Sequence, residues 1–263
     1  MLDDIIATIL ANPKYRTIDP GLVRQLAERE LAQNRSPKEV VKQVRSKLHQ
    51  VGAVYLDSKL DFSALTSLVD AIPEHNSDAI KAFSRSAMQL HASTRERLPI
   101  LETFYPTVLA GLGPIHSLAD YACGLNPLTY PWLPLAPDAQ IWAGDIFTDL
   151  AAFLNRYFLK AGWQGQAVVN NLTSHIPTMP VQLGLLLKAL PCLEQLDKNL
   201  PARLLAELPG DYLLVTFPAH SLSGRSKGMV RNYADRFEQQ TAGKGWQIQR
   251  FEFPGELAFL VQR

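Results

Sequence analysis

The hydrophobic pattern changes character near Pro106. Before it, apolar residues recur at helical spacing. The stretch "SPKEVVKQVRSKLHQVGAVYL" opens with Ser36 in N-cap position, Pro37 at the first helical position and Glu39 three residues after the serine. It then sets Val40, Val41, Val44 and Leu48 on one face. "PGLVRQLAERELAQN" and "SDAIKAFSRSAMQLHASTRERL" also read as helices, joined by short segments holding Pro20, Pro73 and Asn76. The pattern predicts an all-helical N-terminal domain over 1–105.

After Pro106 come short apolar runs, several ending in Asp or Asn, alternating with longer amphipathic stretches. "IHSLADYA", "AQIWAGDI", "GQAVVNNL", "VQLGLLLKAL", "DYLLVTFP", "GWQIQRFEF" and "LAFLVQR" are candidate strands, although the fourth also fits a helix. "TDLAAFLNRYFLKAG" and "KGMVRNYADRFEQQTAG" lie between them as helices. Alternation of this kind predicts an α/β domain over 106–263, built on a mainly parallel sheet covered on both faces. The last two strands are close enough in sequence to form an antiparallel hairpin.

Composition narrows the class. An apolar fraction of 47% and a charged fraction of 19% describe a globular chain with a core. The formal net charge of +1 excludes nucleic-acid binding by a global field and leaves local basic patches. Cys123 and Cys192 lack metal-ligand spacing, so reduced thiols in a cytoplasmic protein without a metal are expected. "MLDDIIATIL" has acids where a secretory signal carries bases, and "VQLGLLLKALPCL" is too short to span a bilayer. No membrane association is therefore expected, and nothing requires more than a monomer.

In an open parallel sheet, ligands bind at the carboxyl ends of the strands. "LADYACGLNPL" lies at such an end, with Ala122 and Gly124 in a small-residue turn, and Asp145 ends the next strand 21 residues beyond Gly124. An acid so placed can accept hydrogen bonds from a ribose diol. A single glycine is too few for a dinucleotide fingerprint, which favours a cofactor without pyrophosphate, such as S-adenosylmethionine. The alternative is a plain turn. Asn170, Asn171 and Leu172 follow the third strand, where an amide could meet an adenine edge or simply make a turn.

Three further groups bear on nucleic acid. "TFPAHSLSGRSKGMVRNY" carries Arg225 and Lys227 before a helix near Gly228, which suits phosphate oxygens or a solvated loop. "LHASTRERL" places His91, Arg95 and Arg97 at the junction of the two regions. Arg35, Lys38, Lys42, Arg45 and Lys47 face one nearby acid, Glu39, and could track a phosphate backbone or form a wet helix face.

Together "LHASTRERL", "DYACGLNPL", "KALPCLE", "FPAHSLSGRSKGM" with "NYADRFE", and the terminal "GELAFLVQR" resemble, in order and spacing, the aminoglycoside-resistance 16S ribosomal RNA methyltransferases that modify N7 of guanine 1405. The likeness spans nearly the whole chain. It implies a class I methyltransferase fold with a Rossmann-like, mainly parallel seven-stranded sheet, S-adenosylmethionine as cofactor, S-adenosylhomocysteine as product, and a helical domain that docks on 16S rRNA in the 30S subunit.

The resemblance further implies roles for residues. Ala122 and Gly124 would hold the methionine part of the cofactor and Arg97 its carboxylate. Asp145 would bind the ribose, with Ile146, Asn170, Asn171 and Leu172 around the adenine and Leu187 and Lys188 near the reaction centre. His91, Arg95, His220, Arg225, Lys227 and Met229 would meet RNA together with the N-terminal basic face, and Lys188, Arg225 and Lys227 would position the nucleotide. The chain departs from the family at Asn171, commonly an aspartate, and at Ala219-His220, often Thr-Arg. A different target nucleotide, or a noncatalytic RNA-binding protein of the same fold, are the alternatives these departures leave.

Overall fold

The computed structural model describes residues 1–53, 60–74, 76–219 and 228–263. Seven α-helices precede the first strand among these residues: α1 (Leu2–Leu10), α2 (Pro20–Leu31), α3 (Pro37–Leu48), α4 (Phe62–Asp70), α5 (Ser77–Met88), α6 (Ala92–Arg97) and α7 (Leu101–Val108). α2 starts where Asp19 accepts hydrogen bonds from the amides of Gly21 and Leu22. α3 starts on the capping box expected from Ser36 and Glu39.

Two helices are shorter than the hydrophobic pattern suggests. α3 gives way at Leu48 to a π-helical turn, His49–Ala53. The single helix expected from Ser77 to Leu98 is two, because His91 takes an extended conformation (φ −132°, ψ 124°). There the Thr94 hydroxyl lies within hydrogen-bond reach of the carbonyls of Met88 (3.0 Å) and His91 (3.1 Å). A threonine at that offset competes with the helical ladder, a local effect to which apolar periodicity is blind.

The strands fall where expected: β1 (Ile115–Tyr121), β2 (Leu135–Asp145), β3 (Gln164–Val169), β4 (Leu183–Leu187), β5 (Tyr212–Pro218), β6 (Gln247–Phe253) and β7 (Glu256–Gln262). The "VQLGLLLKAL" segment is a strand, buried at every position from Leu183 to Leu187, as the middle of a sheet requires. The sheet order is β3-β2-β1-β4-β5-β7-β6, with β1 to β5 parallel and β7 antiparallel to both neighbours. β3 and β6, at the two edges, are the least buried strands, with one buried residue and none. Helix α8 (Thr148–Ala161) connects β2 to β3; α9 (Leu190–Leu193) and α10 (Leu200–Glu207) connect β4 to β5; α11 (Met229–Thr241) precedes β6.

The chain runs outward from β1 in one direction and from β4 in the other, so a crevice opens between their carboxyl ends. The N-terminal helices close one side of it. Their core residues, including Ile9, Leu22 and Val44, belong to the same buried cluster as Leu118 and Leu183 of the sheet. The segment before α2 also pairs with the chain after β2: Asp19 N–H donates to the carbonyl of Ile146 at 2.8 Å, and Thr148 N–H to that of Thr17 at 2.7 Å.

Candidate active site

The crevice is a cavity of about 110 Å³ that opens to solvent. Ala122, Gly124, Asp145, Ile146, Asn170, Asn171, Leu172, Leu187, Lys188, Arg97 and His91 all line it. The structure thus gathers every expected cofactor residue, although they come from points as far apart as α6 and the end of β4.

The turn after β1 is conformationally strained. Ala122 (φ 53°) and Gly124 (φ 50°) are both left-handed, as is Lys188 (φ 57°) directly after β4. For a non-glycine residue this conformation is unfavourable, and it concentrates at functional sites. The Gly124 N–H donates to Asp145 Oδ2 at 2.8 Å, and Ile146 N–H donates to Oδ1 at 2.7 Å. Each carboxylate oxygen keeps lone-pair capacity for a diol. Burial raises the Asp145 carboxyl above its ordinary pKa, and the backbone N–H groups of Gly124, Ile146 and Phe147 work against that rise.

Beneath the turn lies a buried polar network that sequence reasoning did not assemble. Arg97, only 1% exposed, donates from Nε (3.1 Å) and Nη2 (2.5 Å) to the two oxygens of Glu256, itself 1% exposed, and from Nη1 to Asn126 Oδ1 (2.5 Å). With these bonds made, Arg97 also lines the cavity. Burial alone would raise the Glu256 carboxyl, but the Arg97 and Lys188 cations hold it below the usual range. The Lys188 ammonium reaches Glu96 (2.8 Å), the carbonyl of Ser93 (3.0 Å) and Glu256 (3.5 Å). One signal could have revealed Glu256: it is a charged residue opening the strand "ELAFLVQ", whose next five residues are apolar and buried.

Asp120, at the end of β1, completes the network. Its Oδ2 accepts from Asn126 Nδ2 (2.7 Å) and the Tyr130 hydroxyl (3.0 Å), while Oδ1 is buried with no hydrogen-bond partner. Burial pushes this carboxyl up to about 7, against the pull of Asn126, Tyr130 and Arg97.

Just after β3, Asn171 Oδ1 accepts from Thr173 N–H at 3.0 Å, which fixes the amide orientation because a backbone N–H can only donate. Asn170 is 7% exposed and its Nδ2 has no hydrogen-bond partner. A buried, unsatisfied amide on a cavity wall suits a ligand acceptor. A turn at Gly124 that a side chain would strain, an anchored carboxylate at Asp145 and this amide together fit S-adenosylmethionine. Among the described residues no cluster of three or more His, Cys, Asp or Glu is arranged to hold a metal.

The residues expected to meet RNA scatter. His91 is buried at 8% exposure instead of facing solvent. It sits so close under Gly124 that a Cβ there would lie 3.3 Å from its ring. Burial first, then Lys188, Arg97 and Arg95, lower its pKa to about 3, so it is a neutral support for the turn. Arg95 is exposed and donates to the Gln89 carbonyl, while Met229 is half-buried at the start of α11. The N-terminal basic face is less one-sided than it reads. A second acid, Glu30, pairs with Arg35 (3.1 Å) and Lys47 (2.7 Å), and Arg45 donates to the Thr8 carbonyl. Lys38 and Lys42 are exposed. His220, Arg225 and Lys227 lie outside the described residues.

Comparison with known proteins agrees with this geometry. The family described as ribosomal RNA methyltransferase (FmrO) matches residues 11–260. The 16S rRNA (guanine(1405)-N(7))-methyltransferase of Micromonospora echinospora is 34% identical over 265 residues, covering 100% of this chain and 97% of the relative. The protein of the same name from Serratia marcescens is 33% identical over 241 residues, 90% of this chain and 88% of its own. The crystal structure of 16S rRNA methyltransferase RmtF in complex with S-adenosyl-L-homocysteine superposes with a TM-score of 0.87 at 31% identity, covering 100% of this chain and 98% of that one. The 16S rRNA methylase RmtB gives 0.83 at 27% identity, covering 100% and 98%.

Proposed function

The chain belongs to the FmrO family of ribosomal RNA methyltransferases, and from that premise we propose that it transfers the methyl group of S-adenosylmethionine to N7 of guanine 1405 in 16S rRNA. The observation that carries the reading is the junction of β1 and β2, where Gly124 and Asp145 form one hydrogen-bonded cradle in a class I methyltransferase sheet.

S-adenosylmethionine brings an electrophilic methyl group on a sulfonium. Guanine N7 carries an in-plane lone pair, so its attack needs no general base and no metal. What the protein must supply is a nucleotide held about 3 to 3.5 Å from the methyl carbon and in line with the leaving sulfur. Asp145, Asn170 and Asn171 would bind the nucleoside end, while Arg97 and the turn through Ala122 would hold the amino-acid end. Ile146, Leu172 and Leu187 would exclude water between them. Lys188 enters the cavity with its left-handed backbone already set, which suits a residue that positions the base. Arg225 and Lys227 would complete that task.

N7 faces the deep, narrow major groove of A-form RNA, so the base must leave its helix or the helix must distort. An assembled 30S subunit in the cytoplasm is the substrate that presents such a base in a fixed setting, with Lys38, Lys42 and Arg95 available for phosphate. The product carries a fixed positive charge at N7 and loses an acceptor there, a change suited to resistance against 4,6-disubstituted 2-deoxystreptamine aminoglycosides. Incubation with labelled S-adenosylmethionine and 30S subunits, followed by mapping of the modified base, tests the reading. Label at guanine 1405 supports it; label at another nucleotide replaces the target, and no transfer to 30S, 16S rRNA or 50S removes the activity.

A further inference from the structure

Helix α2 belongs to the N-terminal helical region, yet two of its side chains hold the cavity wall. Gln25 and Arg29 are four residues apart and share one helix face. Gln25 Oε1 lies 2.6 Å from the Thr173 hydroxyl and 3.5 Å from Asn171 Nδ2. The Thr173 hydroxyl is in turn 2.7 Å from Asn171 Oδ1. Arg29 Nη1 donates to the carbonyl of Leu196 at 3.2 Å. Asn171 and Leu196 both line the cavity, so α2 grips two walls that are 25 residues apart in sequence.

Other contacts from the same region converge on the same end of the cavity. Ile18 forms an antiparallel bridge with Phe147. Val51 and Gly52 line the cavity themselves, and a Cβ on Gly52 would come within 3.0 Å of the Phe147 ring. Of the cavity's nucleoside side, Asn171, Ile146 and Phe147 each touch the helical region, while Asp145 is anchored within the sheet domain.

We propose that Gln25, with Arg29, is a positioning residue for the cofactor: through Thr173, Asn171 and Leu196 the helical region shapes the nucleoside wall. The inference rests on the reading of this cavity as the S-adenosylmethionine site. Gln25 acts through Thr173 and Asn171 and does not itself line the cavity.

The test is calorimetry with S-adenosylhomocysteine on the wild type, Gln25→Leu and Gln25→Glu, together with methyl transfer to 30S subunits. Gln25→Glu keeps an acceptor for the Thr173 hydroxyl. Gln25→Leu is expected to weaken S-adenosylhomocysteine binding and raise KM for S-adenosylmethionine by fivefold or more, with KM for 30S subunits changed less than twofold. Gln25→Glu is expected to recover most of the affinity. Unchanged affinity in Gln25→Leu overturns the proposal while leaving the cofactor site intact. Equal losses in both variants, or a rise in KM for both substrates, reduce Gln25 to a structural role and also overturn it. If the wild type itself binds no S-adenosylhomocysteine, the cofactor reading and this proposal fall together. Should Gln25→Leu fail to fold, Arg29→Gln gives the same comparison through Leu196.

Discussion

The Gly124 N–H donates to Asp145 Oδ2 at 2.8 Å, so the turn after β1 and the tip of β2 are one structural unit. Removing the carboxylate loses the anchor of the turn and, on the proposed function, the acceptor for the ribose diol. Asp145→Ala is expected to weaken S-adenosylhomocysteine binding at least tenfold by calorimetry. Equal affinity in wild type and variant would place the ribose elsewhere.

Gly124 can be tested from its backbone. A left-handed conformation costs an L-residue about 1 to 2 kcal/mol, and a Cβ here would press on His91 at 3.3 Å. Gly124→Ala should therefore lower stability by about that amount, a fall of roughly 2 to 8 °C in Tm by circular dichroism. It should also weaken cofactor binding, because relief of the strain moves the amide that Asp145 accepts. A variant as stable as wild type would show that the turn is free to relax.

The Arg97–Glu256 pair separates stability from function. Leaving a buried charge without its partner costs about 3 to 5 kcal/mol, whereas replacing both charges by apolar groups is often neutral. Glu256→Leu should lower the denaturation midpoint strongly. The double variant Arg97→Met/Glu256→Leu should recover much of the stability but not S-adenosylhomocysteine affinity. If the double variant binds the cofactor normally, Arg97 has no part in holding it.

Asp120 predicts a pH dependence with a definite sign. Its carboxyl sits at about 7 in the folded chain against 3.8 for the unconstrained group. Between those values the folded state holds a proton that the unfolded state has lost, so the Asp120 contribution to stability falls as pH rises through the window. Asp120→Asn abolishes this titration and keeps an oxygen for Asn126 and Tyr130. Urea midpoints of the two proteins should diverge from pH 5 to pH 8, the variant losing less stability. Parallel curves would place the Asp120 carboxyl near its ordinary value.

The sequence by itself settled what local chemistry controls. Every strand lies where its apolar run predicted, and the capping box at Ser36 and Glu39 forms as written, because these depend on neighbours within a few residues. The cavity-lining positions Asp145 and Asn170 were legible because strand ends are visible as apolar runs that stop there, whereas Arg97, Ile146, Leu187 and Lys188 came only with the family resemblance. The break between α5 and α6 was not, since apolar periodicity does not register the extended backbone at His91.

Tertiary structure decided the pairing of distant groups. Glu256 meets Arg97 across 159 residues of sequence, and Gln25 reaches Thr173 across 148. Glu30 drains the basic face that appeared to oppose a single acid. His91, expected beside RNA, is instead neutral beneath Gly124 because burial outweighs its affinity for a proton. Periodicity tells which face of an element is buried, but not what that face meets. The partners that set charge and orientation at this site come from other elements, and only folding brings them within hydrogen-bond distance.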